Sequence, residues 1–139
     1  MSEDFDMTQV TAGLRDVVSL RPGEFLFLEG DEADCLYIVK QGTLRVVRGD
    51  AIFETLRPGS IVGEMALIDE HRRSASVIAG NHAELYRVDE AKFLSLVEHT
   101  PRFALVVMRV LSGRLRIMNE RYRVKSAETS AARHRRGGA

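Results

Sequence analysis

The feature that most constrains this chain is a regular run of short β-type segments cut by glycine. From about residue 17 to residue 88 the candidates are DVVSL, FLFL, CLYIVK, TLRVV, IFETL, SASVIA and AELYRV. Their content is β-branched and aromatic, which suits pleated, half-buried strands. The separators RPGE, EGDEAD, KQG, RGDA, RPGS and AGNH all carry turn residues. Gly49-Asp50 and Gly80-Asn81 have the form of two-residue loops that close tight hairpins. Many short strands at this spacing predict a sandwich or small barrel. No helices alternate with them to build a parallel sheet.

After Val88 the period changes. DEAKFLSLVEH has an acidic start and apolar Phe93, Leu94, Leu96 and Val97, the pattern of a helix of about three turns. Thr100-Pro101 ends it and begins the next helix. From Arg102 to about Val124 the chain is rich in Leu, Met, Val and Arg without proline, which predicts a long helix. Gly113 is its weak point, costing about 1 kcal/mol against alanine. The expected fold is therefore mainly β with C-terminal helices: an antiparallel β-roll of the jelly-roll type, a short helix and a long C-terminal helix. Residues 1–125 form one domain in this reading, and residues 126–139 a disordered basic tail.

Composition excludes several function classes. The 139 residues suit one core, and Lys+Arg equals Asp+Glu at 20 each, so no overall charge draws the chain to nucleic acid or an anionic membrane. One cysteine, Cys35, permits no internal disulfide and no cysteine metal cluster; it reads as a small core residue. His71, His82, His99 and His134 have no paired spacing, which argues against a metal-binding roll. The N-terminus is acidic, MSEDFD, and no apolar run reaches membrane-spanning length. These features predict a soluble, cytoplasmic protein without a membrane partner.

The stretch VGEMALIDEHRRSASV, residues 62–77, carries the chemistry. EMALI is long enough for about one helical turn, entered through Gly63, where backbone N–H groups can approach an anion. An arginine reaching the same place adds a fixed positive fork suited to phosphate. Glu64 would repel a bare phosphate, but an ionised carboxylate accepts hydrogen bonds from a sugar hydroxyl. Phosphate together with ribose hydroxyl describes a nucleotide carrying a single phosphate charge.

These residues resemble the cyclic nucleotide-binding domain family. The likeness rests on GEFLFLEGDEADCLYIVKQGTLRVV (residues 23–47), the phosphate-binding cassette GEMALIDEHRRSAS (63–76) and the two trailing helices. It extends from about residue 15 to residue 124. The resemblance implies that Glu64 accepts the ribose 2′-hydroxyl and that Arg73 pairs with the cyclic phosphate. It further implies that backbone N–H groups near Met65, Ala66 and Ser74 complete the cradle, that Gly63 and Ala75 belong to the ligand site, and that Val46 and Val62 wall the base and sugar. The family pattern picks Arg73 over Arg72. Strand parity agrees, since Arg73 shares a face with Ala75, Val77 and Ala79. The segment IDEHR is more charged than is common in the family, setting Asp69 and Glu70 near an anion. Ser74 after the arginine favours cAMP, with cGMP the second ligand.

In the long helix Ala104, Met108, Leu111, Leu115, Met118 and Tyr122 form a heptad seam, with a second stripe of Phe103, Val107, Val110 and Ile117. Either one stripe docks on the roll and the other pairs two copies, or both make one wide buried face. The resemblance implies that Leu115, Met118 and Asn119 cover the base as a lid. No nucleophile–base pair or metal set is present, so the chain reads as a non-enzymatic sensor without a cofactor. Only about fifteen polar residues follow the long helix, too few for a helix-turn-helix, which makes nucleic acid an unexpected partner. Signalling is expected through a homodimer or an unidentified protein. The rival reading is a degenerate roll that binds protein and no nucleotide.

Overall fold

Glycine turns and alternating apolar residues produce two four-stranded antiparallel sheets. The computed structural model describes residues 5–68, 72–117 and 119. A short helix α1 (Thr8–Thr11) precedes β1 (Val17–Leu20), β2 (Phe25–Phe27), β3 (Cys35–Gln41), β4 (Leu44–Arg48), β5 (Ala51–Leu56) and β6 (Ile61–Val62). A one-turn 3-10 helix (Glu64–Leu67) follows, then β7 (Ser76–Ala79), β8 (Ala83–Asp89) and α2 (Glu90–His99). Helix α3 spans 102–117. One sheet has the order β1-β8-β3-β6 and the other β2-β7-β4-β5. This is the expected antiparallel β-roll with C-terminal helices.

The core lies between the sheets, where Leu20, Val39, Leu44, Leu56, Val62, Val77, Ala79, Ala83 and Leu85 pack together. Strand alternation puts Leu36 and Ile38 on the opposite face of β3, where they are also fully buried. Both faces of β3 are therefore covered. Helix α2 packs on β8, and Asp89 caps its start by accepting from the Lys92 N–H at 2.9 Å. Phe93 meets Phe103 with ring centroids 5.7 Å apart, joining α2 to the start of α3. Among the described residues no helix is long and apolar enough to cross a membrane.

Three local differences from the sequence expectation have clear causes. Gly49-Asp50 closes the β4–β5 hairpin as expected, but Gly80-Asn81 closes none. Strand β7 pairs with β2 and β4, whereas β8 pairs with β1 and β3, so this link crosses between the sheets. Its polar groups are consumed by the β3–β4 turn: Gly80 N–H donates to the Thr43 carbonyl at 2.9 Å. Asn81 Oδ1 accepts from Thr43 N–H at 2.8 Å. Two elements escaped the sequence pattern, β6 and α1. Each is shorter than the window in which periodicity can be read, although α1 anchors itself by burying Val10.

The chain divides into two compact units, Met1–Val107 and Met108–Ala139. Within the first, Phe103 and Val107 of α3 are buried, which is one stripe of the helix. In the second, Met108, Leu115 and Ile117 are exposed. The heptad positions Met108 and Leu115 thus remain uncovered, and Ile117 departs from the buried stripe to which its spacing assigned it. The domain limit at residue 125 and the tail 126–139 lie outside the described residues.

Candidate anion-binding site

The EGD turn exists to hold one arginine. Asp31 Oδ2 accepts from Leu28 N–H at 2.9 Å, closing the turn on itself. The turn then grips the backbone of residue 73 from both sides. Arg73 N–H donates to the Asp31 carbonyl and Gly30 N–H donates to the Arg73 carbonyl, each at 2.8 Å. Neighbouring Arg72 pairs with Glu32 in an isolated bridge, and its Nη1 donates to the Gly30 carbonyl at 2.9 Å from an exposed position. The alternation that begins at Arg72 therefore sends Arg73 inward.

Arg73 and Glu64 are the two buried charged residues of the described chain, 7% and 3% exposed. Glu64 begins the 3-10 helix, which Gly63 enters in the left-handed region at φ +82°. Glycine is required there for backbone reasons and for space, because a Cβ would meet Arg73 Nη1 at 2.5 Å. Arg73 Nη1 donates to the Gly63 carbonyl at 3.3 Å. Its Nη2 lies 3.6 Å from Cys35 Sγ, and its guanidinium carbon stands 4.1 Å from the centre of the Phe27 ring. Arg73 Nε is buried and has no hydrogen-bond partner. A guanidinium cannot shed its proton in a protein, so this charge stays, and its desolvation is compensated by no ion pair among the described residues. A buried cation in that state can be stabilised by an anion.

Of the expected site residues, Gly63 and Arg73 are in direct contact. Val62 belongs to the core between the sheets and Val46 packs against it, on the strands beside the 3-10 helix and β7. Gly63, Met65 and Ala66 are half-buried around Glu64, while Ser74 is exposed and Ala75 half-buried just after Arg73. Ala66 N–H donates to the Gly63 carbonyl at 3.2 Å, closing the first turn of this short helix. Leu115 and Asn119 belong to the second unit and are exposed. Met118, Asp69 and Glu70 lie outside the described residues.

Sequence reasoning missed the neighbours of Arg73. Phe27, Cys35 and Tyr37 border it, although Cys35 is buried as expected at 2% exposure. The parity of Cys35 and Tyr37 with core residue Val39 was the available signal. Burial, followed by the Cys35 side chain, pushes the Tyr37 phenol up to about 12, so the ring beside the guanidinium stays uncharged at neutral pH.

Comparison with known proteins identifies the family and the fold. The chain is 34% identical over 99 residues to the cyclic AMP receptor protein of Thermus thermophilus, across 68% of this chain and 46% of that protein. It is 32% identical over 78 residues to the cGMP-dependent protein kinase egl-4 of Caenorhabditis elegans, across 56% of this chain and 10% of the kinase. The chain thus spans less than half the length of these relatives. The crystal structure of Thermus thermophilus catabolite activator protein superposes with a TM-score of 0.72 at 28% identity, covering 85% of this chain and 63% of that one. Residues 17–100, which contain both sheets, the 3-10 helix, Glu64, Arg73 and the whole of α2, match the cyclic nucleotide-binding domain, and the chain belongs to that family.

Proposed function

We propose that the chain is a sensor that binds a cyclic nucleotide, cAMP ahead of cGMP, and acts by binding rather than catalysis. Arg73 takes the cyclic phosphate, with the N–H groups at the start of the 3-10 helix beside it. Glu64 accepts the ribose 2′-hydroxyl, and Val46 and Val62 wall the base and sugar. The observation that carries this reading is the burial of Arg73 with Nε unpartnered and, among the described residues, no ion pair. A single delocalised cation suits the single charge of a cyclic phosphate. The relatives include a cyclic AMP receptor and a cGMP-dependent kinase, so the base preference rests on Ser74, which follows the arginine. Output passes by rearrangement of the C-terminal helix to a second copy or another protein.

Calorimetric titration with cAMP and cGMP tests the reading. Saturable binding is expected, tighter for cAMP. Arg73→Ala removes a charged hydrogen bond worth about 1.5–3 kcal/mol, about tenfold to over a hundredfold in affinity, whereas Arg72→Ala changes little. Equal losses at both arginines overturn the assignment. No saturable heat with either nucleotide favours a roll that binds only protein.

A further inference from the structure

Among the described residues the partners of Arg73 share one property: none is a carboxylate. They are a backbone carbonyl, the Cys35 thiol and the face of Phe27, with the Tyr37 ring centre 5.7 Å away. An ordinary way to hold a buried arginine is a bidentate ion pair, and that would neutralise the charge an incoming phosphate must meet. Here the guanidinium is oriented and, among the described residues, left without an ion pair.

Strand β2 is shaped for this. Its register against β7 shifts between Phe25 and Phe27, so that Phe25 opposes Ile78 and Phe27 opposes Val77. Such a bulge re-aims side chains. Phe25 points to solvent at 48% exposure, while Phe27 packs toward the core and stands under Arg73. Tyr37 supports the Phe27 ring, with centroids 6.1 Å apart and planes tilted by 33°. Cys35, two residues before Tyr37 on the same face of β3, holds the Nη2 end.

We propose that Phe27 and Cys35 are positioning residues that pre-set the Arg73 guanidinium for an anion, the ring carrying its face and the thiol its edge. The proposal rests on the nucleotide-binding reading above for its ligand, and on the geometry alone for the clamp. A desolvated cation–π contact of this kind makes Phe27→Leu weaken cAMP binding about five- to thirtyfold. Phe27→Tyr keeps the ring and stays near wild type.

The decisive measurement is a double-mutant cycle by calorimetry and NMR titration with cAMP. Phe27→Leu added to Arg73→Ala should reduce the residual affinity less than twofold, because Phe27 acts through the arginine. The same factor in both backgrounds, or Phe27→Tyr behaving like Phe27→Leu, overturns the proposal. Cys35→Asp supplies the missing carboxylate and should weaken cAMP binding without lowering the melting temperature; tighter binding in that variant also overturns it. A final readout needs no nucleotide. The Arg73 Nε–H proton of the free protein should show an upfield ring-current shift that is lost in Phe27→Leu and kept in Phe27→Tyr. If the shift is absent from wild type the clamp is wrong, whereas a shift without cAMP binding refutes the ligand and leaves the clamp standing.

Discussion

Replacing Gly63 by alanine separates fold stability from ligand affinity. At φ +82° an added Cβ carries the left-handed penalty of about 1–2 kcal/mol. The Cβ also meets Arg73 Nη1 at 2.5 Å, against 3.4–4 Å for ordinary contact, so the guanidinium tip must move by about 1 Å. That motion is easy for a long side chain and adds little to the stability loss. It does break the 3.3 Å bond from Nη1 to the Gly63 carbonyl and takes the fork out of its plane. Losing an aligned charged hydrogen bond to phosphate then lowers affinity by about tenfold to over a hundredfold. Gly23→Ala is the control, since Gly23 has φ +85° and a Cβ there meets nothing within 4 Å. Urea denaturation should give similar losses for both variants, and cAMP calorimetry should find an affinity loss only for Gly63→Ala. If Gly63→Ala binds cAMP within twofold of wild type, Nη1 is not where the phosphate meets Arg73, and the reasoning fails.

Other outcomes can be checked separately. If Glu64 accepts the ribose hydroxyl, wild type should bind 2′-deoxy-cAMP poorly and Glu64→Ala should lose that discrimination; competition binding of the two nucleotides decides, and an unchanged preference removes Glu64 from the sugar site. Phe103→Ala opens a fully buried position against Phe93 and should cost about 3–5 kcal/mol in chemical denaturation; a loss below about 1 kcal/mol would mean that this helix start does not anchor the fold. If two copies pair through the heptad seam, where Met108 and Leu115 are exposed, wild type should sediment as a dimer and Leu111→Glu with Leu115→Glu as a monomer; a monomeric wild type with and without cAMP would refute the pairing. Truncation after Ser112 tests the lid expected of Leu115, Met118 and Asn119, and full cAMP affinity in the shortened chain would refute it.

The parts of this protein legible in its sequence are those set by near neighbours. Glycine separators and β-branched runs fixed seven of the strands, and Asp89 with the 3.6-residue pattern after Val88 fixed α2, because propensity, capping and alternation act over a few residues. The one-turn helix entered through Gly63 was legible for the same reason, being a local event; the anion site expected of the Gly-Glu opening and the arginine pair remains part of the proposal. Tertiary structure decided the rest. Sequence could not say that Gly80-Asn81 crosses between sheets, since pairing is settled by which faces bury together and by Thr43, 37 residues before Gly80, taking the polar groups of that link. Apart from the family resemblance, residue patterning weighed Arg73 against Arg72 by parity alone; the grip of Gly30 and Asp31 on residue 73 made one buried and the other exposed. The bed of Arg73 comes from Phe27, Cys35 and Tyr37, which lie 36 or more positions away in the chain and meet it only when two sheets close. Local chemistry names the groups that can bind an anion, but only packing at long range can bury a charge and leave it uncompensated.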